Sequence, residues 1–188
     1  MADDKDGVLR EAKEKMVKAV SVNSEELASI RSGRASPALL NKITVDYYGS
    51  QVPLNQVANV SVPEARLLVI APYDKNAISG IEKAIQQSDL GIQPNNDGNV
   101  IRLAFPQLTE DRRKELVKLA HVRAEEGRVA VRNIRRHAKD QLTHMKKDSE
   151  LSEDEERRAE NDLQKLTDKY VHEVDENLKR KEQELSEV

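Results

Sequence analysis

Residues 109–147 read TEDRRKELVKLAHVRAEEGRVAVRNIRRHAKDQLTHMKK. At 100° per residue this stretch predicts one long helix with two distinct faces. Leu116, Ala120, Ala130, Ile134, Ala138 and Met145 fall on an apolar face that can enter a core. Lys114, Lys118, His121, Arg128, Arg132, Arg135, Arg136 and Lys139 fall on a second, basic face. Glu110 and Asp111 sit in the first turn, where the helix dipole favours negative charge. A rod with one buried side and one basic side is suited to lying along a polyanion.

Two further helices flank it in the sequence. Ser152-Glu153-Asp154-Glu155 is a capping box. The helix it opens carries Ala159, Leu163, Leu166, Tyr170, Val174, Leu178 and Leu185 as its apolar stripe. Near the N-terminus, Leu9, Ala12, Met16, Val20, Leu27 and Ile30 predict a helix from Asp6 to Ile30. Asn23 interrupts that stripe, a device that sets register at some cost in stability. Gly33 is the expected stop, and Pro37 opens a short turn to Asn41. A lone helix of this length is marginal, so its stripe needs partners. The economical arrangement is an antiparallel three-helix bundle built from residues 1–30 and 107–188.

Residues 31–106 differ in character. Ile43 to Tyr48 is β-branched and aromatic, followed by a turn at Gly49-Ser50. Gln51–Leu54 and Val57–Val62 read as strands, with Pro53 confining its segment to an edge. Leu67–Ala71 reads as a buried strand. Asn76 is the expected cap of a short helix whose Ile78, Ile81 and Ile85 line one face. Pro94–Gly98 is a turn cluster before a last strand, Val100–Ala104. The fold class is therefore α+β, with a β/α/β insert entering and leaving the bundle by two adjacent connections. Those connections are Arg31, Ser32, Gly33, Arg34, Ala35 and Ser36 on one side, and Phe105, Pro106, Gln107 and Leu108 on the other. They are expected to act as a hinge, with Gly33 supplying backbone freedom.

The chain of 188 residues has no Cys, which excludes a disulfide framework, a thiolate nucleophile and a zinc–thiolate site. The acidic N-terminus lacks an apolar signal region, and no apolar run is long enough to span a membrane. A cytoplasmic location is expected. The net charge of −3 hides a segregation. Residues 107–147 hold twelve Lys and Arg against six Asp and Glu, whereas residues 148–188 hold seven against fifteen. Such a split allows an acidic protein to bind nucleic acid through one face; it equally describes two neighbouring helices that attract each other.

Several motifs occur in a fixed order: Arg31-Ser32-Gly33-Arg34-Ala35-Ser36-Pro37, Tyr47-Tyr48-Gly49, Ser88-Asp89-Leu90-Gly91, Pro106 to Arg113, and Val131 to Arg136. This ordered set resembles the bacterial ribosome recycling factor family over essentially the whole chain. The resemblance implies an L-shaped two-domain protein. It also implies a translation factor that acts with elongation factor G and GTP. Together they split the post-termination ribosome so that messenger and deacylated transfer RNA leave. The resemblance places the bundle on large-subunit ribosomal RNA near the intersubunit bridges. Arg132, Arg135, Arg128, Arg31 and Arg34 match positions the family uses there. Arg136 and Lys139 join them through the basic face. A monomer without a cofactor is expected. Met1 to Lys5 extends beyond the family pattern and is expected to be a disordered tail.

No Gly-rich phosphate loop, supported nucleophile–His pairing or paired carboxylates in a cleft are legible, so an enzyme is not expected. His137, Asp140 and His144 share one helix side, but nothing else converges on them, and no metal site is expected. Tyr47 and Tyr48 read as strand packing rather than stacking platforms for bases. The competing function is an adaptor whose bundle grips another helical protein, which would need an exposed apolar patch.

Overall fold

The computed structural model describes residues 4–187. In chain order the elements are α1 (Lys5–Ala28), β1 (Thr44–Tyr47), β2 (Ser50–Pro53), the single turn α2 (Leu54–Val57), β3 (Ala58–Glu64), β4 (Leu67–Pro72), α3 (Ile78–Gln87), β5 (Asn95–Asn96), β6 (Ile101–Ala104), α4 (Glu110–Lys147) and α5 (Glu153–Ser186). The chain divides into two compact units: one holds α1, α4 and α5, the other is Ser32–Glu110.

In the helical unit, Asp4 caps α1 by accepting the Gly7 N–H at 2.6 Å. Lys5 is the first helical residue and lies 3.4 Å from Glu155. Asp4 and Lys5 are therefore helix and cap rather than tail, while Met1 to Asp3 lie outside the described residues. The helix ends at Ala28, short of Ile30 and well before Gly33. Ser29 accounts for this: its hydroxyl donates to the Glu26 carbonyl at 2.6 Å and competes with continued helix. At the other end Val8, not Leu9, is buried, because one helical turn back from Ala12 lands on Val8.

On α4 the buried residues are Leu116, Ala120, Ala124, Gly127, Val131, Ala138 and Leu142. Ala130, Ile134 and Met145, expected in the core, are only half-buried. Packing against two helices centres the buried stripe between them. Ala130 and Ile134 instead line an open groove of about 430 Å³ with Ala19 and Val22 of α1. On α5 the expected stripe is buried except Leu166, which is half-buried; Thr167 and Lys181 are buried as well. Thr167 donates its hydroxyl to the Leu163 carbonyl at 2.8 Å, and Lys181 reaches Glu184 at 3.3 Å, so both bury apolar stems with satisfied heads. The expected capping box is formed. The Ser152 hydroxyl accepts from the Glu155 N–H at 3.3 Å, and the Glu155 carboxylate accepts from the Ser152 N–H at 3.0 Å. These bonds, the Ser152 hydroxyl and then Lys5 hold Glu155 down at about 2.

Asn23 of α1 packs against Gly127 of α4. The Asn23 side chain donates to the Arg123 carbonyl at 2.7 Å, and its Oδ1 has no hydrogen-bond partner among the described residues. A Cβ on Gly127 would lie 2.5 Å from Asn23 Cγ. Only glycine permits this contact.

The other unit contains a two-stranded β1–β2 hairpin and a four-stranded antiparallel sheet in the order β3-β4-β6-β5. Ile78, Ile81 and Ile85 of α3 join Leu68, Ile70, Ile101 and Leu103 in its core, as their spacing requires. Four local expectations are corrected. The hairpin turns at Tyr48-Gly49 (φ 49° and 81°), not Gly49-Ser50. Val57 belongs to the turn α2, which delays β3 to Ala58. Asn76 does not cap α3: Asp74 caps the 3-10 turn Lys75–Ala77 that leads into it, accepting the Asn76 N–H at 2.9 Å. Tyr48 is 76% exposed, so only Tyr47 packs in the unit; both hydroxyls donate to Asp74 Oδ2, at 3.1 Å and 3.3 Å. Gly33 has φ 76°, and a Cβ there would meet Leu108 Cγ at 3.4 Å. This glycine stands in the left-handed region, which its lack of a side chain permits.

Gly127→Ala should destabilise the helical unit by roughly 1–3 kcal/mol through overpacking. Adding Asn23→Ala should return a large part of that loss, because the clash is with that side chain. Urea denaturation of the three variants measures this. A Gly127→Ala protein as stable as its parent would show that the close approach fixes nothing.

Candidate nucleic-acid interface

Paired side chains set the direction of the bundle. Moving up α4, Arg128 meets Asp175, Arg135 meets Gln164, Lys139 meets Glu160 and Lys146 meets Glu156. The α5 number falls as the α4 number rises, so the two helices are antiparallel. The basic residues of α4 and the acids of α5 therefore run side by side. The attraction of neighbouring helices considered from sequence is real along this edge.

That edge sorts the arginines. Arg128 is only 19% exposed; its Nε donates to Asp175 at 2.7 Å and its Nη1 to Glu125 at 2.8 Å. These two carboxylates, Asp175 foremost, hold the Arg128 guanidinium above its usual range. Arg132, with 51% of its side chain exposed, places Nη1 3.2 Å from Glu125. Arg135 is half-buried and donates to the neutral Gln164 at 3.1 Å. Arg136 is exposed and makes no ion pair among the described residues. Lys139 stands 3.4 Å from Glu160 and keeps 49% of its side chain exposed. Lys146 lies 2.7 Å from Glu156, which raises its pKa. His121 contacts Glu182.

The outward row is thus Arg132, Arg136 and Lys139, the last half-exposed despite its pair with Glu160, while the more enclosed Arg128 and Arg135 turn toward α5. Arg31 ends the helical unit and Arg34 belongs to the other; each has bonds of its own. Glu125 was not singled out from sequence. The signal was available: two helical turns before Arg132, it falls within about 20° of that arginine on the basic face. Its carboxyl is held below its usual range by Arg128 first and Arg132 second.

Exposed guanidiniums and ammoniums spaced along a rigid helix suit a row of phosphates, and guanidinium adds bidentate geometry. Among the described residues, no three His, Cys, Asp or Glu group as a metal site. No helix among them is long and apolar enough to cross a membrane.

The family model described as ribosome recycling factor matches residues 23–185. The chain belongs to the ribosome recycling factor family. The ribosome-recycling factor of Shouchella clausii is 61% identical over 178 residues, covering 95% of this chain and 96% of that protein. That of Bacillus subtilis is 56% identical over 181 residues, covering 96% and 98%. A solution structure of ribosome recycling factor matches all of both chains at 46% identity, with a TM-score of 0.80. Recycling factor from T. thermophilus, described together with E. coli elongation factor G bound to the E. coli post-termination complex, matches at 48% identity. It has a TM-score of 0.65 and coverage of 96% and 98%. A recycling factor is a translation factor, and the α+β assignment made from sequence holds.

Proposed function

We propose that this chain acts with elongation factor G and GTP to dissociate the post-termination ribosome into subunits. Messenger and deacylated transfer RNA are then free to leave for a new round of initiation. The helical unit lies on large-subunit ribosomal RNA near the bridges to the small subunit, through Arg132, Arg135, Arg128, Arg136 and Lys139. Arg31 and Arg34 extend the contact. The observation that carries this reading is the outward row Arg132, Arg136 and Lys139 on the rigid α4. Its support beyond this chain is the relative described in the post-termination complex with elongation factor G. The chain works as a cytoplasmic monomer with no cofactor and contributes no bond-making step; GTP turnover belongs to the elongation factor.

In this reading the protein is a lever rather than a catalyst. One unit is anchored by phosphates while the elongation factor displaces the other, and the connections at 31–36 and 105–108 flex between them. Gly33 supplies backbone freedom at the first of these connections.

Arg132→Ala and Arg135→Ala should weaken binding to purified ribosomes and leave stability within about 0.5 kcal/mol of the parent. Each lost phosphate contact should lower the slope of log affinity against log salt by roughly one. A double variant with unchanged affinity and slope would refute the RNA contact. The hinge is tested by the distance distribution between spin labels at Lys83 and Lys165. A broad distribution is expected in the free protein, and one narrow distance would remove the hinge.

A further inference from the structure

Glu125 stands between the two guanidiniums nearest the centre of the basic face. One carboxylate oxygen accepts from Arg128 Nη1 at 2.8 Å, and the other from Arg132 Nη1 at 3.2 Å. A carboxylate that bridges two guanidiniums meets the demand a bridging phosphate would meet: two acceptor oxygens sharing negative charge. Asp175 already takes Arg128 Nε at 2.7 Å. A phosphate cannot settle between Arg128 and Arg132 while Glu125 is there. With 52% of its side chain exposed, Glu125 has room to swing into solvent and vacate the position.

We propose that Glu125 is an intramolecular phosphate mimic that holds Arg128 and Arg132 in the free protein, yields them to an RNA phosphate on binding, and recaptures them on release. This rests on the reading of α4 as the RNA-binding face. Two consequences follow. In the free protein the arginines are kept satisfied and in place, so little side-chain freedom is lost on docking. On the RNA, the same carboxylate competes for its arginines and shortens the residence time, which suits a factor that has to leave after one round. Most affinity differences between closely related complexes lie in the dissociation rate, and the effect of Glu125 belongs there.

The test uses the full chain and purified large ribosomal subunits near 0.1 M salt. Glu125→Gln keeps the size and removes the charge. It should tighten binding roughly two- to fivefold, the scale of an exposed ion pair, almost entirely through slower dissociation. Glu126→Gln makes the same charge change one residue along, where the carboxylate pairs with Arg123 at 3.0 Å. It should produce a distinctly smaller change. On an Arg132→Ala background the gain from Glu125→Gln should shrink, since one of the competed arginines is gone. If Arg132→Ala weakens binding while Glu125→Gln matches Glu126→Gln, the phosphate mimic is wrong and the RNA contact stands. If Glu125→Gln binds more weakly than the parent, Glu125 only positions the arginines and the competition is overturned. If Arg132→Ala changes nothing, the RNA contact itself fails, and this inference with it.

Discussion

The contact of Asn23 with Gly127 sets how α1 meets α4. Glycine at 127 leaves the space that the Asn23 side chain fills, since a Cβ there would lie 2.5 Å from Asn23 Cγ. A buried amide bonded to the Arg123 carbonyl makes that contact specific to one register. The price is a polar group in the core with one oxygen unpartnered. What it fixes is rotation. With the helix pinned along Gly127, Val131 and Leu142, the face carrying Arg132, Arg136 and Lys139 is turned outward. A slip of one residue would turn each of these side chains by about 100°.

Charge segregation then has two roles. The acids of α5 bind the near edge of the basic row, as Asp175 does for Arg128 and Glu156 for Lys146. Such pairs at a partly exposed surface contribute little stability each, and salt screens them. Their stronger effect is to sort cations into those that cohere the bundle and those that face outward. The net charge of −3 says nothing of this, because both signs are concentrated on adjacent helices.

Much was legible in the sequence because short-range physics decided it. The Ser152–Glu155 box, the Ile78, Ile81 and Ile85 face and the buried strand around Leu68 and Ile70 each follow from spacing alone. Where tertiary context intervened, the pattern misled. Ala130 and Ile134 look like core on a helical wheel, yet they face a groove, because the direction of α1 is not a property of α4's sequence. Ser29 ended α1 by a local hydroxyl bond that apolar periodicity does not register. Tyr48 adopts a positive φ that favours Gly or Asn, so residue preference points to a turn one residue later than the one formed. In the candidate site the basic residues were visible as a stripe, but their pairing was not. The exposed Arg132 and the enclosed Arg128 look equivalent from sequence; only the positions of Glu125 and Asp175 separate them.

The claim that the basic face of α4 lies on large-subunit ribosomal RNA has a direct measurement. The chain has no cysteine, so a single one can be introduced at will and loaded with a tethered iron chelate. Hydroxyl radicals released from Lys118→Cys, on the basic face but outside the outward row, should cut large-subunit RNA in bound ribosomes at a compact set of positions. Radicals released from Lys13→Cys on α1 should cut those positions far more weakly. Strong cleavage at the same nucleotides from α1, or none from α4, would contradict the account.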